Sequence, residues 1–232
     1  MKKVYYELRF SQRSPLRIGS GGGEQTDVDV LHDSRGLPFL PGSAIAGVLR
    51  GALPTETAAQ LFGALGAKMT ESLIMVSDGT LPADAEVHLQ HRDGVGIGER
   101  GTVIPGAKYD FETVECAEPY TAVLELADDV PEALETALDA ALGIWVHRGA
   151  QFGARTTRGY GEMAVSGRKK TLNSLPALLT FDPFAPGAFE GEMALEPCAS
   201  VDDRLQIRAK EMTPRSCFSG LGTPFASNSP LI

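Results

Sequence analysis

Residues 26–33 read TDVDVLHD, three carboxylates and one histidine directly behind the glycine run Gly19-Ser20-Gly21-Gly22-Gly23. A run of that kind cannot be a packed strand and reads as a loop. A carboxylate on such a loop suits a hard divalent cation such as Mg²⁺, which stabilises the charge that develops on a phosphate as it is cleaved. His32 beside Asp33 offers an imidazole as a base. An ordinary solvated loop explains the same letters, so the residue types leave Asp27 and Asp29 as rival candidates.

Two further stretches carry anion-binding chemistry. Residues 36–51 read GLPFLPGSAIAGVLRG, an apolar run, a Pro-Gly-Ser break and a small-residue helix start. Ser43 reads as the N-cap of that helix, with the free N–H groups of the first turn facing outward. Gly42 and Ser43 would then offer backbone and hydroxyl donors to a phosphate. Gly47 would allow close packing on a neighbour. Arg50, two turns on, could reach a phosphate or tie the helix to an acidic loop. Residues 153–161 read GARTTRGYG and place Arg155, Arg158 and Tyr160 among glycines, Gly153 included. Guanidinium forks match phosphate oxygens, and a tyrosine can stack on a base. The plain alternatives are a capped helix with Arg50 in a salt bridge, and a tight hairpin with solvated arginines.

Charge locates these stretches. The chain of 232 residues has a net charge of −9. Residues 1–50 carry 7 basic and 5 acidic groups, residues 51–146 carry 4 and 17, and residues 147–170 carry 6 and 1. The two cationic segments are the glycine-rich ones, and a phosphate-contacting face needs only local positive charge. Other classes are excluded on pattern. No Gly-Lys-Ser/Thr phosphate loop follows a glycine run, and no strand-glycine-helix dinucleotide fingerprint is present. There is no Ser/His/Asp arrangement and no Cys-x-x-Cys. His88 and His91 fall on opposite faces of an extended segment, a poor metal pair. Cys116, Cys198 and Cys217 read as reduced thiols of a cytoplasmic protein. No apolar run approaches the roughly 18–20 residues of a membrane span, and no signal-peptide core opens the chain.

The elements that must position these groups follow from periodicity. VYYELRF alternates as a strand, AIAGVLRGAL and TETAAQLFGAL have helical spacing with Ser43 and Thr55 as caps, and SLIMVSDGTL reads as a buried strand. Residues 86–101 suit a protruding hairpin. AKYDFETVECAEPYTAVLEL gives two strands broken near Pro119. VPEALETALDAALGIWVHRG is the clearest helix, stopped at Gly149, with Trp145 in the core. The order is β-α-β-β-α-β with long insertions. That predicts an α+β fold of ferredoxin-like (RRM-like) type, an antiparallel sheet with two helices on one face. A boundary is expected near residue 170. Residues 171–232 read as a connector and, from the loose echo of the first glycine loop in residues 216–232, the start of a truncated second copy.

LRIGSGGGEQTDVDVLHD, GLPFLPGSAIAGVLRG and FGARTTRGYGEM, in that order, resemble the RAMP superfamily of CRISPR-associated proteins, in particular the backbone subunits of type III effector complexes. HRDGVGIGERGTVIPGAKYDFE resembles the family's thumb hairpin, set on a palm. The likeness covers about residues 3–166. It implies a guide-RNA-binding subunit that assembles in a filament with other effector subunits, engages target RNA and cleaves it through a loop aspartate with Mg²⁺. The family pattern places that role, and the metal, on Asp27. Asp29 stands where proline is common in the family and is the rival. Gly42, Ser43, Arg50, Gly153, Arg155, Arg158 and Tyr160 would contact RNA. A non-catalytic structural subunit, or an endonuclease of the CRISPR precursor transcript, are the alternatives.

Overall fold

Alternation in VYYELRF produces β1 (Lys3–Gln12), which sends Tyr6, Leu8 and Phe10 into one face of a sheet and Tyr5, Glu7 and Arg9 to the other. In this computed structural model the described residues are 1–19, 29–64 and 70–198. After β1 come α1 (Gly42–Ala52), α2 (Thr55–Phe62) and the short β2 (Ile74–Val76). A hairpin of β3 (Val87–Ile97) and β4 (Val103–Cys116) precedes β5 (Tyr120–Leu126). Then follow α3 (Glu132–Arg148), β6 (Ala150–Gln151), β7 (Glu162–Leu172), α4 (Leu175–Thr180) and β8 (Met193–Ala194). The main sheet runs β2-β5-β1-β7-β6, with β8 also on β7, and each ladder is antiparallel.

Three helices start directly behind a proline. Pro41, Pro54 and Pro131 are the N-caps of α1, α2 and α3, at φ −55°, −55° and −52°. Proline holds that φ and has no N–H to leave unsatisfied. The caps expected at Ser43 and Thr55 are therefore corrected to Pro41 and Pro54. In α3, Glu132 and Glu135 lie in the first turn and His147 and Arg148 in the last, which suits the helix dipole. Gly149 ends it, donating its N–H to Trp145 O.

Ile45, Leu49, Leu61, Leu138 and Trp145 cover the Tyr6 face of the sheet, so three helices share it where two were expected. Trp145 lies edge-on to Phe10 and Phe152 in that core. The other face is partly covered too. Tyr5, Val123 and Leu172 pack with the buried Phe189 and with Ala177, Leu178 and Phe181.

That packing moves the expected boundary. β7 passes through residue 170, β8 joins β7, and Met1–Cys198 is one unit. A second copy would put strands of residues 192–210 outside this sheet; of these, residues 193–194 pair with it, and residues 199–210 lie outside the described residues. The echo in residues 216–232 lies outside the described residues, as does Cys217.

The basic cluster Arg168-Lys169-Lys170 is turned inward. Lys169 Nζ lies 2.8 Å from Glu135 and 2.6 Å from Asp139, and Lys170 Nζ lies 2.6 Å from Glu192. Arg168 donates to Phe189 O. Half of the cations of residues 147–170 thus join the sheet to α3 and the C-terminal segment instead of facing a ligand. Burial opposes the charge of Lys169, but hydrogen bonds from its ammonium to Asp139 and Glu135 outweigh this and hold its pKa up. Burial likewise opposes the Glu135 carboxylate, and the Lys169 and Lys2 ammoniums hold its pKa down. Lys169→Met should cost about 1.5–3 kcal/mol, the loss of a charged hydrogen bond, because Glu135 keeps only Lys2 and Asp139 only the Tyr6 hydroxyl. Urea unfolding at neutral pH measures this. The Glu135 contribution should be complete above the ordinary carboxylate range and fade as pH falls through the lowered folded value. The Lys169 contribution should be complete below the ordinary lysine pKa and fade as pH rises through the raised one.

Candidate nucleic-acid interface

The Pro-Gly-Ser break has a steric cause. A Cβ on Gly42 would stand 2.5 Å from Val76 O and 2.8 Å from Ser77 O, so only glycine lets α1 begin against the end of β2. The Gly42 N–H donates to Asp78 Oδ1 at 2.7 Å. The first free donor of the helix is thus satisfied by a carboxylate of the chain itself, which corrects the expectation that it faces outward. Ser43 lies on the exposed side of the first turn. Gly47 has open space around it and does not mediate a close approach. Together with Ala46, Arg50 and Phe62 these residues line a groove of about 380 Å³. Arg50 donates to Gly63 O at 3.2 Å and ties α1 to the end of α2, not to an acidic loop.

The glycine-rich third stretch forms a different place. Residues 152–161 fold back on the segment after β1: Ala154 N donates to Arg17 O and Gly161 N to Pro15 O. Gly153 lies exposed beside that contact. Arg155 has φ 62° and ψ 30°, left-handed values that an L-residue seldom adopts, and precedes the 3₁₀ turn Thr156–Arg158. Such strain persists only where surrounding contacts hold it.

Those contacts come from the base of the hairpin. Arg155 Nη1 donates to Tyr109 Oη at 2.7 Å, and Arg158 Nη1 to the same oxygen at 3.4 Å. The Arg155 guanidinium lies 4.5 Å from the Tyr109 ring centre and 4.6 Å from that of Phe111. Arg17 lies 4.5 Å from the Phe111 ring centre on its own account. Tyr160 meets Phe111 edge-on at 6.0 Å. Burial, then the charge of Arg155, pushes the Arg17 pKa down. Hydrogen bonds from Arg155 and Arg158 pull the Tyr109 pKa below the usual tyrosine value. Two guanidiniums held on two rings, with Arg158 reaching the Tyr109 hydroxyl, gather cationic donors of the kind that match phosphate oxygens.

Tyr109, Phe111 and Arg17 are the members that sequence reasoning missed. Tyr109 and Phe111 were legible as same-face residues of a strand, two apart. Arg17 was not, since its place depends on Leu16 bridging Val114 and seating the hairpin on the body.

The aspartate loop is described only at its margins. Asp27 lies outside the described residues; Asp29 is at their edge. Val30 N donates to the buried Glu112 at 3.0 Å, and His91 Nε2 lies 3.4 Å from that carboxylate. Asp33 accepts from Arg35 N and Leu37 N and pairs with the Arg35 guanidinium, so it caps its own turn. His32 is exposed, and the partners of His88 and His91 across the hairpin are Glu115 and Glu112. Among the described residues no group of three or more His, Cys, Asp or Glu could seat a metal ion, so they do not make a Mg²⁺ site. Cys116 is a buried free thiol. No described helix is long and apolar enough to cross a membrane.

A search of curated proteins finds no match. Among solved structures, a chain of the type III-B Cmr-beta assembly bound to cognate target RNA superposes with a TM-score of 0.55 at 12% identity, over 71% of this chain and 96% of that one. A chain of the same assembly in its apo state gives 0.54 at 11%, over 70% and 96%. At such identity the likeness establishes a shared fold. The RAMP superfamily model matches residues 10–164, which hold the end of β1, the whole hairpin, α3 and the arginine cluster, and the chain belongs to the RAMP superfamily.

Proposed function

We propose that this chain is a guide-RNA-binding backbone subunit of a type III-like CRISPR interference complex, with a ferredoxin-like (RRM-like) palm and the β3–β4 hairpin as its thumb. The observation that carries the reading is the cluster of Arg17, Arg155 and Arg158 on Tyr109 and Phe111, at the junction of palm and thumb. Membership of the RAMP superfamily and the fold shared with Cmr-beta chains support it. Its partners are guide RNA, target RNA and neighbouring effector subunits. Gly42, Ser43 and Arg50 border a second groove on which the RNA backbone can continue.

The direct test is anisotropy of a labelled single-stranded RNA with the purified protein across a salt series. Affinity should fall linearly with log salt, by about 0.7 in slope for each phosphate contact. Absence of salt-dependent binding would defeat the reading.

Target cleavage by the aspartate loop is the finer proposal. In the assembled complex Asp27→Ala should abolish cleavage of guide-paired RNA while guide and target binding persist, since a lost carboxylate removes chemistry and lessens repulsion. Loss with Asp29→Ala alone would shift the role by two residues. Normal cleavage in both variants would make the subunit structural.

A further inference from the structure

We infer that Tyr109 is itself a binding residue of the arginine cluster, donating its hydroxyl proton to the RNA phosphate that Arg155 and Arg158 hold. The inference rests on the RNA-binding reading above. A phenolic hydroxyl accepts through its oxygen and donates its one proton. The Tyr109 oxygen accepts from two guanidinium N–H groups, at 2.7 and 3.4 Å. The proton is therefore turned away from the two cations, and among the described residues no acceptor takes it. Each guanidinium has five N–H donors and gives one to Tyr109. Donors from three side chains thus gather round one oxygen, the arrangement that binds a phosphodiester with charge-assisted hydrogen bonds.

The surroundings favour an anion. Arg17 Nε is buried without a hydrogen-bond partner. Among the described residues none of the three guanidiniums has a carboxylate within 4.0 Å. The rings are already engaged: Tyr109 by Arg155, Phe111 by Arg17, Arg155 and the edge of Tyr160. Recognition therefore goes through phosphate, and the ligand class is a single-stranded nucleic-acid backbone irrespective of base. The position of the hydroxyl is set from the facing strand. Gly94 pairs with Tyr109 across the hairpin, and a Cβ on it would meet the ring carbon Cζ at 2.1 Å. The ring end lies on the bare backbone of Gly94.

Tyr109→Phe and Gly94→Ala test this, with oligouridylate and oligoadenylate of equal length. Tyr109→Phe should weaken both about tenfold, the loss of one hydrogen bond to a charged group. Its salt slope should stay as in the wild type, since no charge is removed. Gly94→Ala keeps the hydroxyl but displaces the ring end, and should lose about as much. Tyrosinate absorbance gives an independent readout. A step that titrates below ordinary tyrosine should be present in the wild type and absent from Tyr109→Phe. It should move to higher pH when either oligonucleotide is bound, because a nearby phosphate disfavours the phenolate. Wild-type affinity in Tyr109→Phe, a titration unmoved by oligonucleotide, or a more than tenfold preference for one base would overturn the inference. Normal binding by Arg155→Glu/Arg158→Glu would instead defeat the RNA reading itself, so the two failures are distinguishable.

Discussion

Reversing charge at Arg155 and Arg158 together should weaken single-stranded RNA binding at least about a hundredfold, taking roughly 1.5–3 kcal/mol for each charged hydrogen bond lost. The salt slope should fall by about 1.4, two phosphate contacts at 0.7 each for a single strand. Both side chains reach one oxygen, Tyr109 Oη, so they act on one stretch of backbone. The glutamates would not only remove cations but place anions beside Arg17, which they would neutralise; the combined effect should therefore exceed that of Arg155→Ala/Arg158→Ala. Neither residue is fully buried, so the fold should survive, as a thermal melt within a few degrees of wild type will show. A folded variant with unchanged affinity and slope would remove this surface from the RNA path.

Gly161→Ala should be the most damaging single change in the glycine-rich stretch. Gly161 has φ 72°, and a Cβ there would stand 1.8 Å from Phe152 O and 3.0 Å from Phe152 C. Both are backbone atoms and cannot swing aside. Phe152 N also donates to Gly161 O, and Gly161 N to Pro15 O, so relief of the clash breaks the two bonds that seat the loop. Phe152 is fully buried against Phe10 and Trp145, and the disturbance reaches the core. A loss of about 3–5 kcal/mol is expected, or a melting temperature lower by roughly 10 °C for a chain of this size. Gly159 is the control. Its φ of 85° is as strained for alanine, but nothing lies within 4 Å, so Gly159→Ala should cost only about 1–2 kcal/mol. Equal losses in the two variants would show that conformation alone, not the backbone contact, makes position 161 special.

Period and punctuation carried most of the architecture. Alternation in VYYELRF and YTAVLEL, helical spacing after Pro131 and the stop at Gly149 are local features, and local features survive in the folded chain. The hairpin was legible only in part: residues 86–101 hold its first strand and the start of its turn, whereas β4, expected in the main sheet, is its second strand and forms a separate two-stranded sheet with β3. The helix caps were misplaced by one or two residues because proline can close a helix start without a side-chain hydrogen bond. At the site, residue types alone pointed to Arg155, Arg158 and Tyr160 as a group. Their partners could not be read, because Arg17, Tyr109 and Phe111 come from segments about 45 to 140 residues away and meet only when β1 and the hairpin are seated side by side.

Charge was the feature most changed by folding. Arg168, Lys169 and Lys170 looked equivalent to Arg155 and Arg158 in a linear count, yet β7 carries the first three into contact with α3 and the C-terminal segment. The sequence by itself determined how many cations lie in this region and that glycine surrounds two of them. Only the tertiary structure decided which are tied up within the chain, because Lys169 and Lys170 reach carboxylates and are neutralised there and Arg168 is held by a backbone carbonyl, whereas Arg155, held on aromatic rings, keeps its charge.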